Sequence, residues 1–282
     1  MRFIALFLSL LALVAQPAVA ASSPSLTSLE QQLSSLVSGT SADVGIAALD
    51  LNTGETVSIK GNTPFPMAST VKVAIAALYL AQVDNGRRSL DDTINGQSVR
   101  GLMRRMLVFS DNRAADILFK DVGGPAALQQ WLSDNDVKGM HVDRTIAQLL
   151  AAKRDLWDRR DSATPVAMVD LLQRIYKAEL IKPASRNYLL DVMAQCETGR
   201  NRMKYLLPGV PVEHKTGTLN GLADDVGFIT MPDGRRVAVA IFTRGGSDRP
   251  STIAQTARAI YDGFKSVFAW PFGGPTASTS QK

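Results

Sequence analysis

Strand-like and helix-like hydrophobic patterns are segregated along this chain, and that segregation limits its fold more than any other feature. Near the start, residues 44–49 and 56–59 read as short strands. Asp50, Asn52, Thr53 and Gly54 between them have turn chemistry, so the pair reads as a hairpin. Late in the chain, residues 211–218, 225–231 and 236–243 are strand-like again, the last two joined by Pro232-Asp233-Gly234. From Ser69 to Met193 the spacing is helical instead. Helices are expected over 71–83, from Val99 towards Ser110, over 112–120 and 125–132, from Pro165 through Tyr176, and over 183–193. Residues 140–163 read as an ordered surface loop. One more helix precedes the first strand, with Leu26, Leu29, Leu33, Leu36 and Val37 in a stripe behind Ser23-Pro24, and another spans 251–268. Strands divided between two ends form one sheet only if those ends meet. The expected fold class is therefore α+β: an α/β sandwich, its antiparallel sheet flanked by helices, with an all-helical lobe inserted. The sheet lobe takes residues 21–62 plus 196–268 and the helical lobe 63–195, with a site at their seam.

At that seam stands Pro66-Met67-Ala68-Ser69-Thr70-Val71-Lys72, running into an apolar helical segment. Residues three apart share a helix face, so the Lys72 amine can reach the Ser69 hydroxyl. Ser69 is expected in the first helical turn, where backbone N–H groups lack intrahelical partners and the dipole favours negative charge. A nucleophile, an amine and oxyanion donors thus come from four residues. Alone the spacing is weak, since roughly one Ser-x-x-Lys is expected by chance in a chain of this length.

Composition removes several alternatives. Met1-Arg2, an apolar run over 3–14 and the ending Ala18-Val19-Ala20 are the parts of a secretory signal peptide. Residues 1–20 are read as that peptide, cut after Ala20, and the apolar run is too short to span a bilayer comfortably. The expected destination is secreted or periplasmic, without stable membrane insertion. Cys196 is the single cysteine, so no internal disulfide forms; it reads as a small buried apolar residue without chemistry. The formal charge is +5, but Lys and Arg are scattered without interleaved aromatics, which argues against a nucleic-acid partner. His141 and His214 are the only histidines and have no metal-ligand spacing; no metal and no cofactor are expected. His214 precedes Lys215 on a strand, so the two side chains should take opposite sheet faces. Arg244 and Arg249 read as solvated positions, and Trp131 and Trp157 as packing residues. Residues 269–282 read as a disordered tail, leaving 21–268 as one catalytic domain.

Two further triplets follow in order: Ser110-Asp111-Asn112 at a helix boundary and Lys215-Thr216-Gly217 on a strand. Each is expected by chance in roughly one chain in twenty. With Ser69-x-x-Lys72 they make the chain resemble the class A β-lactamases and their penicillin-binding relatives. The likeness extends over nearly all of residues 21–268, through Gly123-Gly124-Pro125, Arg160-Asp161 and Pro232-Asp233-Gly234. The resemblance implies a serine hydrolase, a β-lactamase/DD-peptidase-like fold and a monomer. It implies that Ser69 forms an acyl-enzyme and that Lys72, its pKa lowered by the nearby Lys215 cation, accepts the serine proton. Ser110 then relays a proton to the leaving nitrogen, and Asn112 holds the substrate side-chain carbonyl. Lys215 and Thr216 bind the substrate carboxylate. Gly217 belongs to the same strand motif, and the backbone N–H groups of Ser69 and Thr218 form the oxyanion hole.

Two departures qualify the likeness. Class A enzymes carry a loop glutamate that activates the deacylating water, and its place here falls within 145–150, at Ile146 or Gln148. No glutamate occurs between Glu55 and Glu179, and neither Ile nor Gln is a general base. Asp143, Asp155 and Asp158 are the nearby carboxylates, read as salt-bridge residues. The interval from Ser69 to Ser110 is also short, 41 positions, with the loss placed at 92–98, so the pocket mouth should be more open. Three readings follow: a β-lactamase with slow deacylation, a D-alanyl-D-alanine carboxypeptidase acting on peptidoglycan stem peptides, and a β-lactam sensor without turnover. The first is preferred on overall likeness.

Overall fold

The computed structural model describes residues 24–267, so the signal-peptide and tail expectations lie outside the described residues. The chain begins with α1 (Pro24–Ser38), then the hairpin β1 (Asp43–Asp50) and β2 (Thr56–Ile59). Next come β3 (Phe65–Pro66), a 3-10 turn (Ala68–Thr70) and α2 (Val71–Asp84). A small hairpin, β4 (Thr93–Ile94) and β5 (Gln97–Ser98), leads to α3 (Val99–Val108), α4 (Asn112–Asp121) and α5 (Gly124–Asp134). Then follow β6 (Met140–His141), α6 (Ile146–Ala151), β7 (Ser162–Ala163), α7 (Pro165–Tyr176) and α8 (Pro183–Ala194). Three long strands, β8 (Val212–Leu219), β9 (Leu222–Thr230) and β10 (Arg236–Arg244), precede α9 (Arg249–Val267).

The five main strands form one antiparallel sheet in the order β2-β1-β10-β9-β8. The early hairpin joins the late strands through β1 and β10, with Ile46 opposite Ile241. Strand alternation then sorts the side chains by face. Ile46, Ile241 and Ile229 face α1 and α9, where Leu29, Leu33, Ile260 and Phe264 complete one core. Ala47, Ala240, Phe242 and Phe228 face the other way and join the larger core of the helical lobe. Helix α7 lies across β1 and β10 on that side, so the sheet is covered on both faces.

Helix α2 is apolar all round, and every residue from Val71 to Ala81 is buried. Such a helix belongs in the middle of a lobe rather than on its surface. Its small residues Ala74, Ala76 and Ala77 allow close approach of the neighbouring α3, α4, α5 and α8. The lobe is not wholly helical as expected. Two-residue strands β3, β7 and β6 form a small sheet that ties the start of the Ser69 turn to the loop ahead of α7.

The stretch expected as loop also contains α6, six residues long. That is below the length at which hydrophobic periodicity is readable. Local bonds hold it. Thr145 and Gln148 form a reciprocal capping box, and both Asp116 carboxylate oxygens, reaching over from α4, accept the Ile146 and Ala147 N–H groups at 2.8 Å. The loop's base is pinned by Asp161. Its Oδ1 accepts the N–H groups of Asp143 and Arg144 at 2.8 and 3.0 Å, and its Oδ2 accepts Arg144 Nε at 2.5 Å. The partner of Asp161 is therefore Arg144, with the adjacent Arg160 exposed on Asp158.

Both members of the Arg144–Asp161 pair are shielded from water, so removing one charge strands the other. Asp161→Asn keeps a residue that tolerates the left-handed backbone at this position, where φ is +54°. It is expected to cost about 3 kcal/mol, read as a fall of about 6–12 °C in Tm with new proteolytic nicking at 152–160. An unchanged Tm would remove the pair from its anchoring role.

Candidate active site

Ser69 lies in the 3-10 turn that runs directly into α2, one turn earlier than the helical position expected for it. The preceding Ala68 has φ +44°, a conformation L residues adopt only when the surroundings force it. Here the surroundings do so from three sides. Met67 N–H donates to the Asp161 carbonyl at 2.9 Å, the Thr70 hydroxyl donates to the Met67 carbonyl at 2.7 Å, and Gly217 of β8 presses on the turn. A Cβ on Gly217 would stand 2.8 Å from the Met67 carbonyl oxygen, so that strand comes this close only because position 217 has no side chain.

Lys72 and Lys215 enter from opposite lobes and meet at one hydroxyl. Lys72 Nζ donates to the Ser110 carbonyl at 2.8 Å, to Asn112 Oδ1 at 2.7 Å and to Ser110 Oγ at 3.3 Å. Lys215 Nζ donates to the same Ser110 Oγ at 2.9 Å and to the Thr216 carbonyl at 2.8 Å. Among the described residues Lys72 makes no hydrogen bond to Ser69; its bonds go to the Ser110-Asp111-Asn112 corner. Ser110 is itself left-handed, φ +58°, and Asp111 caps α4 by accepting Ala114 N–H at 2.9 Å. Both lysines are fully buried. Burial, then the Lys215 cation, pulls Lys72 down to about 7, against the opposing charges of Asp111 and Asp116. Burial likewise lowers Lys215 to about 8. Near neutrality the pair supplies one amine able to take a proton and one ammonium able to attract an anion.

The second wall is β8, the edge of the main sheet, with no further strand of that sheet beside it. Thr216 and Thr218 lie on it, and two residues that sequence reasoning passed over hold them. Arg202, buried, donates to the Gly217 carbonyl at 2.7 Å and to Thr218 Oγ1 at 2.6 Å. Thr198 Oγ1 lies 2.6 Å from Thr216 Oγ1. Neither residue sits in a recognisable motif, and both come from an irregular segment that only the fold brings against β8. His214 points away from Lys215, its Nδ1 2.7 Å from Asp225 Oδ1, as strand alternation requires.

Among the described residues on the side of the α6 loop, the side chains are buried, engaged in local bonds or exposed. Ile146 is buried and Gln148, exposed, is engaged in the helix cap. Asp116 spends both oxygens on α6 N–H groups. Arg160 holds the Asp158 carboxyl down at about 2, Asp155 accepts Trp157 N–H at 2.9 Å, and Asp143 is exposed. Arg244 is not solvated as expected. It is buried against Asp43 and the Pro64 carbonyl, between the rings of Phe65 and an exposed Trp157. A groove of about 820 Å³ runs beside Asn112, bounded by Ile94, Asn95, Arg113, Asp116 and Leu150; its lining does not include Ser69, Lys72, Ser110 or Lys215. Among the described residues no cluster of His, Cys, Asp and Glu could hold a metal ion, and no helix is long and apolar enough to cross a membrane.

Comparison with known proteins agrees with this geometry along nearly the whole described chain. The model of the β-lactamase enzyme family matches residues 28–264. The chain belongs to that family. It is 31% identical to the extended-spectrum β-lactamase PER-1 of Pseudomonas aeruginosa, over 83% of this chain and 86% of the relative. It is 28% identical to the carbapenem-hydrolysing β-lactamase KPC of Klebsiella oxytoca, over 91% and 96%. The crystal structure of a β-lactamase from Chitinophaga pinensis superposes with a TM-score of 0.78 at 29% identity, covering 83% of this chain and 98% of that one.

In this β-lactamase-family site the proton affinity of Lys72 has a stated second cause that can be removed. Lys215→Met is expected to raise the Lys72 pKa above its present value near 7, followed by NMR of labelled lysine side chains. An unmoved midpoint would leave burial as the sole cause.

Proposed function

We propose that this protein is an exported serine hydrolase that opens β-lactam rings through an ester on Ser69 and releases the product slowly. The observation that carries the reading is the convergence of Lys72 and Lys215 on Ser110 beside the Ser69 turn. Neutral Lys72 accepts the Ser69 proton as Oγ attacks the lactam carbonyl. The backbone N–H groups of Ser69 and Thr218 receive the oxyanion. The C–N bond then breaks, and Ser110, fed by the lysines, returns a proton to the nitrogen. Lys215 and Thr216 hold the substrate carboxylate, and Asn112 the side-chain carbonyl. Lactams are favoured as substrates by the activities in the names of PER-1 and KPC, and export by the leader-like residues 1–20.

Slow release follows from the α6 loop. A positioned general base contributes about 10²–10⁴-fold, and none faces the ester from 145–150. Against a typical turnover of about 10 s⁻¹, an ester lifetime of about 10–1,000 s is expected. Intact-mass spectrometry after mixing with a penicillin should show one adduct of that lifetime, abolished by Ser69→Ala. An unmodified mass would overturn the reading, and a sub-second adduct would overturn the slow step. The groove beside Asn112 supports a second reading, a D-alanyl-D-alanine carboxypeptidase, because it has room for a peptide. Release of D-alanine from an acyl-D-Ala-D-Ala peptide would select it.

The two lysines also set the sign of the pH dependence. Lys72 must be neutral to take the proton, so acylation rises as pH passes upward through about 7. Lys215 must be charged to attract the carboxylate, so acylation falls as pH passes through about 8. The expected profile of acylation efficiency is a narrow bell between those limbs, measured by stopped-flow with a chromogenic cephalosporin.

A further inference from the structure

Behind the edge strand runs a line of polar groups that the proposed reaction does not use. Cys196, the chain's single cysteine, is buried just past the end of α8. Its Sγ lies 3.3 Å from Thr198 Oγ1, which lies 2.6 Å from Thr216 Oγ1. On the other side Cys196 neighbours His214, which is 1% exposed and bonded through Nδ1 to Asp225. With Nδ1 taken by Asp225, His214 Nε2 is buried with no other partner among the described residues, which leaves it to serve the Cys196 sulfur. The charged groups around the thiol are thus His214 and Lys215 on β8, Asp225 behind His214 on β9, and Arg202 beyond Lys215.

A hydroxyl has one proton, so a row of them donates in one direction or the other. A protonated sulfur can donate to Thr198 Oγ1 or to the Thr198 carbonyl, 3.9 Å from Sγ; in the first case Thr198 donates to Thr216, and the Thr216 proton is left for the substrate. If the sulfur is a thiolate, Thr198 must donate to it. Thr216 then donates to Thr198 and turns a lone pair towards the substrate. A carboxylate only accepts, so the second arrangement repels it. We propose that Cys196 is a positioning residue: its thiol lets Thr216 offer the substrate carboxylate a hydrogen, and its thiolate leaves Thr216 only a lone pair to offer. The step is a simple one: hydroxide removes the S–H proton as water, and the row reverses without any bond to carbon or sulfur breaking. This rests on the reading of Thr216 as a carboxylate ligand.

The surroundings put that titration near neutrality. Burial pushes the thiol up, but His214 and then Lys215 bring it down to about 7. Burial also opposes protonation of His214, yet Asp225 outweighs it and raises the ring to about 9, so a cation waits beside the thiolate.

The test has one arm that needs no substrate. With a single cysteine, thiolate absorbance near 240 nm reads Cys196 alone. A midpoint near 7 is expected, and Thr198→Val should raise it by removing the hydroxyl that donates to the thiolate. No thiolate below pH 9, or a midpoint indifferent to Thr198→Val, would overturn the proposal whether or not the protein reacts with lactams. The second arm measures the concentration of a carboxylate-bearing penicillin giving half-maximal acylation. It should rise by up to about tenfold from pH 6 to 8 in the native protein, as the donating form is depleted. In Cys196→Ser, which keeps a donor that does not titrate, that part of the rise should vanish while the maximal acylation rate keeps its pH profile. Superimposed native and Cys196→Ser curves would sink the proposal; absent acylation in both would sink the parent reading alone.

Discussion

Two ammonium groups brought out of water onto one hydroxyl form the constraint on which the rest of this structure depends. Like charges buried together are unfavourable unless each finds acceptors and at least one gives up its proton. Both conditions are met. The Ser110 carbonyl and Asn112 Oδ1 accept from Lys72, the Thr216 carbonyl accepts from Lys215, and the pKa values of both lysines fall towards neutrality. The unfavourable burial is thereby turned into proton affinity suited to neutral pH.

That arrangement needs its parts to come from both lobes. Lys72 rides on the buried helix α2, whose apolar girth leaves little freedom for its first turn. Lys215 rides on an edge strand, fixed by its register with β9. Between them the chain is bent into left-handed conformations at Ala68 and Ser110. Both are non-glycine residues beside reactive groups, and both are held by bonds from neighbouring elements. Loosening the Asp161 anchor or crowding Gly217 therefore acts on the turn that carries Ser69 without touching its side chain.

The readable part of this molecule was what repeats or has a long period. Strand alternation at the two ends gave the sheet, and the helical stripes gave the lobe, because each extends over enough residues to show its period. The three short motifs located the meeting point of the lobes. What escaped was held by single long-range contacts. Helix α6 depends on Asp116, thirty positions upstream. Arg144, not the adjacent Arg160, pairs with Asp161, and Arg244 is buried because Phe65, Asp43 and Trp157 close around it. Arg202, Thr198 and Cys196 acquire meaning only once an irregular segment is laid against β8.

The same comparison explains why the two halves of a hydrolytic cycle are unequally provided for. Groups suited to forming an ester sit on α2 and the α3–α4 corner, which share the larger core, and on β8, which is fixed by its register with β9. The group that would break it belongs on α6, a six-residue helix whose neighbouring carboxylate, Asp116, has both oxygens committed to backbone N–H groups. To serve elsewhere, this carboxylate would have to release backbone N–H groups at the start of α6. Among the described residues of this corner, Lys72 is the amine brought down to about 7, and on the proposed reading it is the proton acceptor for both halves of the cycle.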